Sequence, residues 1–427
     1  MNNKALILGI DFSSDFSQLA FLNDAGEPES ISVGQDKHFL VPTVMFFNDE
    51  LKEWSVGEEA INRSQRESGK VVTNLPEALF YDELKDQNRA MMKAYIAYFV
   101  KLAANYTNGQ IIKSIVMTVD NLTVEIMECF YETIEALGYK KENTKILSHS
   151  ESFIYYVLNQ HKDVWVNNVL MLDFSQQGLV YRRLSIRHTR EAHIADVETK
   201  KLDDVLTFDN IKTDIDEADK ILEDFMDEEL NEHVISAVYF SGEGFYSGDW
   251  KNTLKKTCNN RRVFKGNNLI VKGAVYGAKE LFYISNFSDY IISCKGRTKV
   301  NVSMEVNHQG SEKQLVLSKI GTNWYEAGAV AECILDKPTI AKFTIQSPIT
   351  KESENFYIDL QDFPARKNKT VRIRIKFAYV NENKFAIEIK DIGFGEFYES
   401  SGKVVREEVT VWVTSQCAHC TQKNLII

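Results

Sequence analysis

One duplicated corner constrains this chain more than anything else in it. The stretch from Asn168 to Ile186, NVLMLDFSQQGLVYRRLSI, carries an apolar run ending in Asp-Phe-Ser, and the same unit stands near the N-terminus as ALILGIDFSSDFSQLAFL. In each copy a short apolar run, Ala5 to Ile10 or Val169 to Leu172, reads as a buried strand. Polar residues then supply a tight turn and an alternating run returns as a second strand. Two copies imply two related lobes, with Asp11 and Asp173 where a strand leaves the core. A carboxylate there, beside small polar turn residues, can hold a hydrated cation while backbone N–H groups face a phosphate. A pair of ordinary hairpins with capping aspartates fits the same residues.

At 427 residues the chain has room for two or three domains with real cores. A net charge of -11 without a dense Lys/Arg block argues against nucleic-acid or membrane-surface binding, which needs a basic face. The cysteines at 129, 258, 294, 333, 417 and 420 are scattered except for the last pair, as a reducing compartment permits. The N-terminal apolar run is too short for a signal peptide, and no stretch approaches the roughly 18 apolar residues of a membrane span. The expectation is a soluble, cytoplasmic protein.

Phe39 to Phe47, FLVPTVMFF, reads as one strand at a sheet edge, because Pro42 lacks a ladder donor. Glu58 to Arg66 and Pro76 to Tyr106 read as helices, the second with an apolar stripe of Met92, Ile96, Phe99, Val100 and Ala103. Ile115 to Val119 is a buried strand, Thr123 to Leu137 a helix stopped by Gly138, Lys145 to Leu147 a strand and Ser150 to Asn159 a helix. Asp203 to Glu232 is acidic, with Ile215, Ala218, Ile221, Leu222 and Phe225 as its apolar stripe, which is the pattern of a solvated helix. Val234 to Phe240 returns to strand, and Leu269 to Phe282 closes the region as a helix. This alternation is α/β in class.

Past Ser285 period-two alternation takes over, in KVNVSMEVNH, KQLVLSKI, TIAKFTIQS, NFYIDLQD, TVRIRIKFAYV, KFAIEIKD and VREEVTVWVT. Such a series of short strands implies a β-sandwich. The sequence therefore divides into a first lobe at 1–166, a reduced second lobe at 167–284 and an all-β domain at 285–427.

Taken in series, these stretches resemble the actin-like ATPase superfamily, and most of all the heat-shock chaperones of the seventy-kilodalton class. ALILGIDFSSDFSQLAFL resembles their first phosphate hairpin, FLVPTVMFFNDELKEWSVGEEA the strand and helix that follow, and NVLMLDFSQQGLVYRRLSI the second phosphate hairpin. SIVMTVDNLTVEIMECFYETIEALGYKKENTKILSHSESFIYYVL is similar to the segment between the lobes, VYFSGEGFYSGDW to the adenosine loop and NLIVKGAVYGA to the closing helix. The strands after 285 resemble the substrate-binding sandwich, with no helical lid after them.

The resemblance implies that Asp11 and Asp173 face a magnesium ion and the attacking water, and that Ser13, Ser14, Ser175, Gly178, Gly242 and Gly244 line an ATP site. It also implies erosion. Asp15 replaces a phosphate-contacting threonine, Gln176 and Gln177 replace loop glycines, His149 stands for a catalytic glutamate and Val180 for an aspartate. Lys70 has no motif to make it the catalytic lysine, and the segment between Leu184 and Val234 is too short for a full outer subdomain. The implied protein is chaperone-like, a scaffold whose β-domain contacts a polypeptide, with no ATP or Mg or weak binding of them and little or no hydrolysis. An active Mg-dependent ATPase and a polymerising actin-like protein are the alternatives.

Cys417 and Cys420, in CAHC, have metal-like spacing, but zinc needs four ligands, so a site there requires a partner chain. A redox pair would need a helix N-terminus to lower the thiol pKa, and a plain tail is the favoured reading of those residues.

Overall fold

The computed structural model describes residues 6–33, 38–79, 85–188, 192–337, 339–411 and 422–424. Cys417 and Cys420 lie outside the described residues. The chain forms two compact units, Met1–Tyr290 and Ile291–Ile427, the first α/β and the second β-rich. No described helix is long and apolar enough to cross a membrane.

The first half of the α/β unit runs β1 (Leu6–Asp11), β2 (Phe16–Leu22), β3 (Pro28–Ser30), β4 (Val41–Pro42), β5 (Val44–Asn48), β6 (Glu53–Val56), α1 (Glu58–Ser64), β7 (Gly69–Thr73), α2 (Leu75–Ala78), α3 (Lys85–Tyr106), β8 (Ile112–Val119), α4 (Val124–Ala136), β9 (Thr144–Ser148) and α5 (His149–Leu158). The second half runs β10 (Asn168–Ser175), β11 (Gly178–His188), β12 (His193–Lys201), α6 (Phe208–Thr213), α7 (Ile215–Glu232), β13 (Ile235–Ser241), α8 (Glu243–Tyr246), α9 (Lys251–Thr257), β14 (Arg262–Lys265) and α10 (Leu269–Phe282).

Both halves build the same sheet. The first has the order β3-β2-β1-β8-β9 and the second β12-β11-β10-β13-β14. In each, the three hairpin strands are antiparallel and the two that follow are parallel to the opening strand. The registers also coincide: Asp11 lies opposite Gln18 on one side and Thr118 on the other, and Asp173 lies opposite Val180 and Ser241. Even the ladder irregularity recurs, between Leu6 and Ile7 and between Asn168 and Val169. The cause is in the residues, because β1 and β10 are almost continuously apolar, the pattern of a strand covered on both faces.

The helices between the sheets approach closely because small residues let them. A Cβ on Gly273 of α10 would lie 2.0 Å from the Ser152 carbonyl oxygen of α5, and one on Gly277 would lie 2.7 Å from the Tyr155 ring. Gly9 gives α10 the same access to β1, since a Cβ there would sit 2.6 Å from Val275 Cγ2. Caps start the helices where the sequence places polar residues. The Ser148 Oγ accepts from the Glu151 N–H at 3.1 Å to open α5, and Asp214 accepts from Asp216 and Glu217 to open α7.

Some local expectations need correction. Phe39 to Phe47 is not one edge strand: β4 pairs with β2, and β5 is the central strand of a separate sheet ordered β6-β5-β7. Pro42 ends the ladder of β4 rather than marking the edge of a longer strand. Pro76 to Tyr106 is not one described helix but α2 and α3, with residues 80–84 outside the description.

In the second unit one sheet contains Ser311–Ser318, Asn301–His308, Ile340–Ser347 and Glu352–Asp359, in that order. The other contains Gly328–Leu335, Val371–Asn381, Lys384–Asp391, Val404–Thr410 and Gln422–Asn424. Val302, Phe343 and Ile358 of the first share one core with Ile373, Ile375, Phe385 and Ile387 of the second. Strict in/out alternation along Val371–Asn381 puts Arg372, Arg374 and Lys376 on the outer face.

Candidate functional site

The two Asp-Phe-Ser corners meet across a cavity of about 450 Å³ inside the α/β unit. Asp11, Ser13, Ser14, Asp15, His149, Asp173, Ser175, Gln177, Val180 and Gly242 line it. Gly178, Gly244 and Gln176 are not among its walls, and Lys70 stands exposed on β7. The glycines serve the backbone instead. Gly242 has φ 93 and passes so close to Phe174 that a Cβ would lie 2.3 Å from its carbonyl oxygen, a place no side chain fits. Gly178 has φ 117 and closes the turn of Gln176 and Gln177 against Asp203.

The cavity floor is a chain of ionisable side chains. Asp11, 4% exposed at the end of β1, accepts a hydrogen bond from Ser13 Oγ at 2.7 Å and meets His149 Nε2 at 2.9 Å. The other ring nitrogen of His149 lies 3.9 Å from Asp120 Oδ1. Arg182 of β11 donates to that same oxygen through Nη2, and its Nη1 lies 3.7 Å from Asp173 Oδ2. The Arg182 side chain is 1% exposed, and its Nε and Nη1 have no hydrogen-bond partner among the described residues. Burial pushes the Asp173 carboxyl above its ordinary range; Arg182 and His149 pull it back, while Asp11 and Asp120 add to the rise.

The two turns are also tied to each other. The Gln176 backbone N–H donates to Asp15 Oδ2 at 2.9 Å, and Gln176 Nε2 donates to Glu243 Oε2 at 3.1 Å. Burial raises the Asp15 carboxyl, the Gln176 N–H opposes this and Glu243 reinforces it. A third link joins α5 to β12, where Ser150 Oγ and Thr199 Oγ1 are 3.0 Å apart.

Sequence reasoning brought Asp11, Asp173, Asp15 and His149 to one place and missed Arg182 and Asp120. A signal for Arg182 existed: it is two residues beyond Val180 on the same strand and so shares its face, where a buried cation needs an anionic partner. Among the described residues no three His, Cys, Asp or Glu side chains gather as a metal-binding group.

Residues 297–411 match a domain of unknown function, DUF8552. No curated protein matches the chain. Residues 27–295, which include the second corner, His149 and Arg182, match the C-terminal part of a family of unknown function, DUF5716. That match spans more than half of the chain, and the protein belongs to this DUF5716 family.

Proposed function

We propose that the α/β unit is an actin-like body with a degenerate nucleotide site, serving as a chaperone-like scaffold whose β-rich unit contacts a polypeptide. The repeated sheet order and register support the actin-like reading. The observation that carries the loss of nucleotide chemistry is the chain of ionisable side chains on the cavity floor. Magnesium needs carboxylate oxygens free to coordinate it in near-octahedral geometry. Here Asp11 is held by His149 and Ser13, and the Arg182 guanidinium stands beside Asp173.

Phosphate fares no better. Asp15 already occupies the Gln176 N–H, a donor of the kind a phosphate would use. At an effective dielectric near 20, a carboxylate about 4 Å from a phosphate charge repels it by roughly 4 kcal/mol. The residues present do not fit Mg-ATP, and no hydrolytic step is assigned to them.

For the partner, the support is an edge strand. Among the described residues Gly328–Leu335 is paired on one side only, and it exposes Val330 and Ile334 on one face, a surface suited to pairing with an extended peptide. Among the described residues Cys129, Cys258, Cys294 and Cys333 form no disulfide, in keeping with a reducing, cytoplasmic setting. Calorimetric titration with Mg-ATP, run beside a phosphate-release assay, tests the reading. No saturable heat and no release above buffer are expected. Micromolar binding with steady release would overturn it.

A further inference from the structure

A different cluster, far along β11 from the cavity, brings two imidazole rings into contact. His188 and His193 are the last cross-strand pair of the β11–β12 ladder. Their Nδ1 atoms are 2.6 Å apart and the rings meet edge to face, with centroids 4.4 Å apart. Two nitrogen lone pairs cannot approach so closely, so one ring must donate to the other.

Asp289 decides which. Its Oδ2 lies 3.2 Å from His193 Nε2, and its carbonyl accepts the His193 backbone N–H at 3.0 Å. A carboxylate there keeps the proton of His193 on Nε2 and leaves its Nδ1 as a lone pair facing His188. The turn carrying Asp289 is itself fixed. Buried Glu280 accepts from Ser285 Oγ at 2.9 Å and from the Asn286 N–H at 2.6 Å, and the Tyr290 ring packs on His193 with centroids 5.0 Å apart. A carboxylate orienting the far nitrogen of an imidazole is the arrangement that supports metal-bound histidines.

We propose that His188 and His193 form a two-imidazole site for a late first-row divalent ion, of the copper, nickel or zinc class. The proton on His188 Nδ1 moves to its Nε2 by exchange with water. The metal then takes both Nδ1 lone pairs, the rings spread slightly, and water fills the remaining coordination positions. Imidazole ligands favour these ions over magnesium or calcium, with copper the tightest. A site with two protein ligands falls short of a closed structural set, so binding is reversible and exposed to solvent.

The test titrates the full chain, carrying Cys258→Ser, Cys417→Ser and Cys420→Ser to remove competing thiols, with CuCl₂, NiCl₂ and ZnCl₂ in separate calorimetric runs. One equivalent is expected, with copper tightest and MgCl₂ giving no heat that depends on these histidines. His188→Ala and His193→Ala should each weaken binding at least tenfold, and Asp289→Asn by about tenfold. Circular dichroism melts without metal show whether each variant is folded. Should folded histidine variants bind as tightly as the parent, or the parent bind none of the three ions below millimolar concentration, the site is disproved.

Discussion

Asp173 and Asp391 are both carboxylates facing an arginine, and their surroundings have opposite effects. Asp391, fully buried in the β-rich unit, receives Arg366 Nη1 and Nη2 at 2.8 and 2.9 Å and the backbone N–H groups of Gly393 and Ser401 at 3.0 and 2.9 Å. Burial works to raise its carboxyl, but those bonds outweigh burial and hold it down at about 2. The Asp173 carboxylate has Arg182 at 3.7 Å and no side-chain hydrogen bond among the described residues, and burial leaves it raised. The first carboxylate is part of the framework. The second is a carboxylate whose surroundings do not offset the cost of its burial.

Breaking each pair should show the contrast most strongly. Arg366→Met leaves Asp391 buried without its cation, and the loss expected is about 4 kcal/mol, read by denaturant unfolding of the full chain. Arg182→Met should cost less, about 2 kcal/mol, because Asp120 and Asp173 retain 40% and 24% side-chain exposure and can regain water.

pH sharpens the same contrast through its sign. The folded-state pKa of Asp391 is depressed, so its stabilisation is present above the ordinary carboxylate range and is lost as pH falls from about 4 toward 2. Asp391→Asn should remove up to about 2 kcal/mol of that acid-limb dependence. Asp173 and Asp15 are raised and act in the opposite sense. Their contribution is most favourable when they are protonated, and it is lost as pH rises through the ordinary range to the raised folded-state value. Asp173→Asn at neutral pH should accordingly leave stability unchanged or raise it by roughly 1 kcal/mol, whereas Asp391→Asn lowers it. A loss at Asp173 as large as that at Asp391 would remove the distinction.

How much of this was legible in the sequence follows from the same physics. The duplicated corners could be read because burial on both faces of β1 and β10 writes an unbroken apolar run. Alternation along Val371–Asn381 likewise declared the second unit. β7 and the strand Gly328–Leu335 left little trace, because both are half exposed and carry residues such as Gly69, Lys70, Ala331 and Glu332 that have weak strand preference. At the cavity the residue types of Asp11, Asp15, Asp173 and His149 were visible, but not their pairing. That depends on how β1, β10, β11 and α5 pack together, which a one-dimensional pattern does not record. Arg182 went unread because a charged residue in an alternating strand is ordinarily assigned to solvent.

If protein groups rather than a nucleotide join the two corners, amide hydrogen exchange at Gln176 measures it directly. In the chain without ligand this N–H should exchange slowly, speed up about tenfold in Asp15→Ala, where it loses its acceptor, and be unaffected by millimolar Mg-ATP. Fast exchange in the parent chain that slows once Mg-ATP is added would mean the corners await a phosphate, and would contradict the account.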